Sequence, residues 1–453
     1  MSLPNNIGLR KTDLVTKQLK EYQSKFRNWW EERGPSEFLN MEMNLRLPNG
    51  SVLASNWSSY HKMKPSEYTW GIFVAPTNQK HIAFGEFIGK PVWETVPQDY
   101  RSLLFEHIRV QADVENAAIE QSRNLTLTAP SRFDLNNLFQ FFLEEGRHTW
   151  AMVHLLIEYF GHDGIVESEA LLDRMSGSDS NPRLLNAFNC HTDDWLSHFM
   201  WCFLADRVGK YQIQAVTQCS FSPLARSANF MMFEEPLHIQ FGLKGLERVL
   251  CKSIEVTLES DSYDIFDKGA ISLPVIQKYF NYWISKIFDL FGNDESNRAY
   301  ELYECGVRSP RGFPPRNIEE IIQDKKHKNE IKQVTVKPEL AINTIMRRQF
   351  IYEISKTFEH WNNYLELMGL NLKLYIPHER FNREYGPCNG LLFDIYGNTI
   401  LPNSKITIKD YLPTIEEIDK VQNVMKMQIE SGCYASWISP ENFSLPKLLA
   451  KNN

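Results

Sequence analysis

Glu144-Glu145-Gly146-Arg147-His148 and Glu234-Glu235-Pro236-Leu237-His238 decide how this chain of 453 residues is read. In each block a Glu and a His stand three residues apart, Glu145 with His148 and Glu235 with His238. On a helix that spacing puts carboxylate and imidazole on one face, pointing the same way. Two such helices facing each other can hold a pair of transition-metal ions, provided two partner helices add one Glu or Asp each. A bare Glu-x-x-His arises roughly once by chance in a chain of this composition. Both blocks here, however, lie on apolar stripes. Leu138, Phe141, Glu145, His148 and Met152 recur at three or four, and so do Leu224, Ala228, Met231, Glu235 and His238. A carboxylate on an apolar face must be paired, neutralised or bound to a metal. A pair of buried Glu–His hydrogen bonds is the plainer alternative.

Each half then needs an upstream carboxylate. Asp206 suits the second half, because Trp195, Phe199, Cys202 and Asp206 are spaced four, three and four and put it on an apolar stripe. It precedes Glu235 by 29 residues. For the first half the candidates are Asp113, Glu115 and Glu120. Glu120 stands 25 residues before Glu145, close to the other separation, and Glu115 is the alternative. Four carboxylates and two imidazoles, with no thiolate, favour iron or manganese over zinc.

The rest of the chain narrows the field by exclusion. Hydrophobic residues make up 43% and charged residues 23%, an ordinary globular composition. The net charge of −7 argues against nucleic acid as a partner. Seven scattered cysteines form no Cys-x-x-Cys, so the usual zinc and iron–sulfur spacings are missing and a reducing, cytoplasmic setting is expected. The N-terminal segment shows no charged-then-apolar signal pattern, and no apolar run approaches membrane-spanning length. There is no Gly-x-Gly-x-x-Gly and no Walker loop, so flavin, NAD and nucleotide sites are not expected, and electrons for any redox chemistry must come from elsewhere.

Three regions follow: a mixed N-terminal appendage (1–97), a helix-bundle core (98–300) and a helical and irregular C-terminal extension (301–453). The appendage opens with an amphipathic helix over 13–34, ending at an exposed-looking Trp29-Trp30, and continues with short strands or irregular aromatic segments at 68–76 and 81–89. Core helices are expected at 98–125, 131–161, 166–177, 182–190, 193–219, 222–252 and 272–292. Ser131, with Asp134 three residues on, makes a helix start. The extension reads as loops around Arg308–Arg316 and Asp324–Lys328, then helices over 338–369 and 413–431, and a polar, mobile end. Pro236 is expected to disturb its helix by a kink or a widened turn, because it lacks the N–H that the carbonyl of Met232 needs.

The chain resembles the oxygenase component of benzoyl-CoA 2,3-epoxidases, a family of di-iron enzymes. The matching text includes Tyr68-Thr-Trp-Gly-Ile-Phe-Val-Ala-Pro76, Leu127-Thr-Ala-Pro-Ser131, Asn137-Leu-Phe-Gln140, Glu144-Glu145-Gly146-Arg147-His148 with Trp150-Ala-Met-Val153, and Asp194-Trp-Leu-Ser197. It continues through Asp206-Arg207, Pro223-Leu-Ala-Arg226, Asp289-Leu-Phe-Gly292 and Pro377-His-Glu-Arg-Phe-Asn-Arg383. The family's text after Glu235 is similar to Ala-His-His, where this chain has Pro236-Leu237-His238. The resemblance implies a mainly α, ferritin-like di-iron bundle with the metal set Glu120, Glu145, His148, Asp206, Glu235 and His238. It implies two iron ions (manganese being the alternative), a separate flavin and iron–sulfur reductase, and epoxidation of an aryl-CoA ring with O2. Other readings are a different di-iron oxygenase, such as an arylamine N-oxygenase or a hydroxylase of a carrier-bound substrate, and a non-catalytic ferritin-like iron binder. Arg308, Arg311, Arg316, Lys325, Lys326, Arg347, Arg348, Arg380 and Arg383 are the cations near enough in type to consider for CoA phosphates. Ordinary salt bridges and solvated surface charge account for most such residues.

Overall fold

In the computed structural model, residues 3–35, 43–44, 62–63, 68–313, 320–327, 330–401, 403–426 and 437–438 are described. The fold is mainly helical. Four long helices build its centre: α2 (Arg101–Gln121), α3 (Arg132–Phe160), α5 (Trp195–Ala215) and α7 (Glu235–Ser260). α2 lies along α3, and α5 lies along α7. α3 is capped as its sequence suggested: Ser131 accepts from the Asp134 backbone N–H, a contact worth about 1 kcal/mol. Asp194 caps α5 in the same way, accepting from Ser197 N–H. From Leu138 to Ile157 every residue of α3 is buried. A helix buried on all sides belongs at the centre of a large core.

Glycines set the close approaches. A Cβ on Gly242 of α7 would come within 2.4 Å of the Phe203 backbone nitrogen, and one on Gly245 within 2.2 Å of the Phe199 ring. Side-chain-free positions there let α7 close on α5. Gly146, inside the first Glu-Glu-x-x-His block, faces Trp70: a Cβ would sit 2.2 Å from the indole Nε1.

The remaining helices wrap this centre. α1 (Leu14–Arg33) packs on α3 and on α4 (His162–Asp173), with Tyr22 and Phe26 edge-on to Trp150. α6 (Ser222–Met231) leads into α7, and α8 (Leu273–Asp289) packs on α5 and α7. α9 (Asn297–Glu304) precedes α10 (Ile342–Leu367), which packs on α5, where Arg207 pairs with Glu353 at 2.5 Å. α11 (Ile415–Lys426) and buried Trp437 and Ile438 complete the core, with Ile438 O accepting from Arg248 at 2.7 Å. Two antiparallel ribbons lie outside the bundle: β1 (Met43–Asn44) with β2 (Lys62–Met63), and β3 (Glu320–His327) with β4 (Glu330–Val336), registered Gln323 to Gln333 with a shift between Asp324 and His327.

Several local expectations change. Trp29 and Trp30 are buried, not exposed, because Phe26 and Trp70 pack against them. Residues 182–190 form only a 3₁₀ turn at Asn186–Asn189. Segment 68–76 is extended but makes only an isolated bridge, Asn5 to Ile72, and segment 81–89 bridges at His81 to Pro91 and then folds into bends and turns over 84–89. The stretch 324–328, read as loop, includes the end of β3. The expected helix over 222–252 is two helices joined by a tight turn at 232–234, in which Phe233 and Glu234 donate to carbonyls three residues back. Pro236 therefore sits in the first turn of α7, where a missing N–H leaves nothing unsatisfied. The irregularity is present, but it is tightened rather than widened. Residues 427–431 of the last expected helix, the polar end at 439–453, and Arg316 lie outside the described residues. Of the strand cations Lys325 and Lys326, only the backbone is described.

Candidate metal centre

The bundle brings together five of the six residues singled out in the sequence. Glu145 and His148 come from the middle of α3, Glu235 and His238 from the first turns of α7, and Asp206 from α5; all are buried. The sixth, Glu120, is elsewhere. Its Oε2 accepts from Arg183 at 2.7 and 3.1 Å and from the backbone and hydroxyl of Ser176 at 3.0 and 3.1 Å. Arg33 lies 3.6 Å from its other oxygen. Asp113 joins the same network, 3.2 Å from Arg183 and accepting from Leu184 N–H at 2.7 Å.

Glu115 takes the place expected of Glu120. Its Oε2 lies 3.3 Å from His148 Nδ1. The reason is helical phase. Asp113 and Glu120 are seven residues apart and share a face, whereas Glu115 is turned by roughly 200° from Asp113. Glu115 belongs to the stripe Ile108, Ala112, Glu115, Ile119, all buried. The sequence carried this signal. Glu115 precedes Glu145 by 30 residues, a closer match to the 29 between Asp206 and Glu235 than the 25 from Glu120.

Two ligand-capable groups result, Glu115–Glu145–His148 and Glu145–Glu235–His238, with donor atoms in each within 4.8 Å of one another. Glu145 belongs to both. Its oxygens lie 3.8 Å from His148 Nδ1 and 3.1 Å from His238 Nδ1. Glu235 Oε1 is 3.6 Å from His148 Nδ1. Asp206 lines the same cavity as Glu115, Glu145 and Glu235, and its Oδ2 meets no hydrogen-bond partner among the described residues. Gly209, one turn further along α5, leaves room for Glu235: a Cβ there would stand 3.3 Å from Oε2.

The outer glutamates of the two blocks cross over. His148 Nε2 lies 3.0 Å from Glu234 Oε2, and His238 Nε2 lies 2.8 Å from Glu144 Oε2. Each ring thus turns Nε2–H to the opposite block's outer carboxylate and Nδ1 to the centre of the cluster. A carboxylate on the far nitrogen fixes the tautomer and raises the basicity of the near one, the usual arrangement around a metal-binding His. Arg147 ties both outer glutamates together, 2.5 Å from Glu234 and 3.5 Å from Glu144, and donates to Tyr68 Oη at 2.8 Å. Sequence reasoning passed over Glu144, Glu234 and Arg147, although they stand inside the quoted blocks.

Like charges crowd at the centre of the cluster. Burial, and then the charge of Glu115, push Glu145 well above the usual carboxylate range. Burial does the same to Asp206 and Glu235. Burial also pushes Glu115 up, but hydrogen bonding from Glu145 and the charge of His148 outweigh it and hold its carboxyl low. Burial opposes charge on His148, yet Glu115 and Glu234 raise it well above the imidazole range. Four crowded carboxylates, an orphaned Asp206 oxygen and two Nδ1 atoms facing inward fit two divalent cations. Four anionic ligands neutralise two such ions, and oxygen with imidazole nitrogen suits iron or manganese.

From this cluster opens a cavity of about 420 Å³. Apolar walls come from Val114, Ala118, Phe188, Trp201, Ala205 and Val208. It continues past Gln111 and His107 on α2 and Gln212 on α5 to Arg298 and Arg308. Among the described residues no helix is long and apolar enough to cross a membrane.

No protein-family model matches the chain. It is 37% identical to benzoyl-CoA oxygenase component B of Aromatoleum evansii over 457 aligned positions, covering 96% of this chain and 94% of that protein.

Proposed function

The chain belongs to the benzoyl-CoA oxygenase component B family, and on that premise we propose that it is a di-iron oxygenase that epoxidises the ring of an aryl-CoA thioester such as benzoyl-CoA. The observation that carries this reading is the cavity: Glu115, Glu145, Asp206 and Glu235 line it together with apolar Val114, Ala118, Phe188 and Trp201. A protein that only stored iron would need no such chamber.

Glu115, Glu145, His148, Asp206, Glu235 and His238 would hold two metal ions, Glu145 belonging to both ligand-capable groups. Bound iron supplies activation of O2 once two electrons arrive. The chain's own residues do the rest. Glu144 and Glu234 keep the protons on the two Nε2 atoms, which presents both Nδ1 lone pairs to the centre. Arg147 pairs with both glutamates and holds them in place. Val114, Ala118, Phe188 and Trp201 exclude water and seat a flat ring against the cluster, where position and dryness govern what is oxidised. Electrons come from a separate reductase component, in keeping with the lack of dinucleotide and flavin motifs in the sequence.

The test is turnover. Iron-loaded protein with a chemical reductant or its reductase, O2 and benzoyl-CoA should give a CoA product heavier by one oxygen atom, labelled when 18O2 is used. NAD(P)H and O2 with the chain alone should give nothing. Oxygen uptake matched to iron, with the thioester unchanged, would contradict the reading.

A further inference from the structure

The cavity has a far end. On α2 its lining passes from Glu115 to Gln111 to His107, one turn at a time, and on α5 from Asp206 to Gly209 to Gln212. Eight residues of helix separate Glu115 from His107, roughly 12 Å at 1.5 Å per residue. Arg308 stands at that end beside Gln212, 7% exposed.

Arg308 differs from its peers. Eight arginines are buried among the described residues. Seven of them pair with a carboxylate: Arg147, Arg174, Arg183, Arg207, Arg248, Arg347 and Arg383. Among the described residues Arg308 donates only to neutral acceptors, Gln212 Oε1 at 2.6 Å, Asn343 Oδ1 at 3.2 Å and Met346 Sδ at 3.4 Å, and its Nε has no acceptor. Burial alone pushes it down to about 10. Neighbouring His107 is pushed to about 3 by burial and then by Arg308 and Arg298, so it offers no counter-charge. A strut between α5 and α10 would be built at less cost from a neutral side chain, because a buried cation without an acid is expensive.

We propose that Arg308 reads the thioester arm of the substrate, donating a hydrogen bond to the amide carbonyl nearest the sulfur. This rests on the aryl-CoA reading above. An extended chain advances roughly 1.2 Å per bond. From a ring carbon at the cluster to that amide carbon is about eight bonds, hence roughly 10 Å, which matches the depth of Arg308. The first phosphorus lies about nine bonds further, roughly 20 Å from the cluster and beyond this end. At this depth the guanidinium meets a carbonyl oxygen and not a phosphate. Recognition of the arm sets which thioesters enter and where the ring stops.

Two substrates separate the possibilities. Benzoyl-CoA carries the whole arm; the benzoyl thioester of N-acetylcysteamine keeps only the amide nearest the sulfur. Arg308→Met should raise KM for both by a similar factor, about ten- to a hundredfold for a lost charged hydrogen bond. It should leave kcat within about twofold, and Arg308→Lys should recover part of the loss. The same variants are compared by equilibrium binding of both thioesters to the iron-loaded protein, which decides the matter independently of turnover. An effect confined to benzoyl-CoA would mean that Arg308 reads the phosphates, and would overturn the assignment. Unchanged KM with a lowered melting temperature would make it a strut and overturn it too. Failure of the broader reading looks different: wild-type protein would neither bind nor oxidise either thioester, before any variant is made.

Discussion

The two halves of the candidate metal centre present the same donors from different backbones. In one, Glu145 and His148 lie mid-way along a 29-residue helix whose residues are all buried from Leu138 to Ile157. In the other, Glu235 and His238 occupy the opening turns of α7, directly after a tight turn and with Pro236 between them. The differences continue at the middle positions. The first block has Gly146, which admits Trp70, and Arg147, which grips both outer glutamates. The second has Pro236 and Leu237, and Leu237 is 37% exposed. The halves are therefore alike in their inward faces and unlike elsewhere. Donor geometry follows from helical phase, while the support for it is lopsided and concentrated on α3.

That asymmetry can be tested at Arg147. Arg147→Met leaves Glu144 and Glu234 buried without their shared cation, and loss of one partner from a buried ion pair costs about 3–5 kcal/mol. Both halves should suffer, seen as a lowered melting temperature and lost metal. Leu237→Met, at the matching position of the second half, should change neither by much.

Next in size is the response to pH, which the halves share. Glu145, Asp206 and Glu235 are raised well above the carboxylate range, so the metal-free fold holds protons that the unfolded chain has already released. By linkage these three groups take stability away as pH rises from the ordinary carboxylate range towards those raised values. His107, His154 and His198 act the other way: held low by burial, they contribute stability that is lost as pH falls below the ordinary imidazole range, while the lowered Glu115 acts only below the ordinary carboxylate range. Metal reverses the trend of the three carboxylates, since the ligands must be deprotonated to bind. The histidines are common to both states, so melting temperatures from about pH 5 to 8 should rise with pH more steeply with metal than without it.

The smallest effects belong to the backbone. Gly146→Ala drives a methyl into the Trp70 indole and should cost about 1–3 kcal/mol by overpacking. Pro236→Ala should stay within about 1 kcal/mol, because a first-turn proline breaks no hydrogen bond. Chemical denaturation of the two variants compares them directly; a large loss at Pro236 would mean that the second half depends on a rigid entry after all.

How much was legible in the sequence follows from what each signal measures. The Ser131 cap, the two blocks and Asp206 were visible because a carboxylate on an apolar stripe is a local, periodic contradiction. Glu120 was preferred over Glu115 on separation and resemblance, when the phase of α2 puts it with Asp113 against Arg183. The break at 232–234 was hidden, since apolar spacing runs across it. The β3–β4 ribbon went unseen because Glu320-Ile-Ile-Gln-Asp-Lys-Lys-His327 does not alternate. Arg308 looked like one more loop cation; its neighbours Gln212, Asn343 and Met346 come from helices distant in sequence.

The central claim is a two-metal centre completed by Glu115. Metal analysis of iron-reconstituted Glu115→Gln and Glu120→Gln, each first shown to be folded, tests it most directly. Glu120→Gln should retain close to two ions per chain, having lost part of an ion-pair network remote from the site, while Glu115→Gln should lose at least one. Full occupancy in Glu115→Gln with depletion in Glu120→Gln would contradict the centre as described.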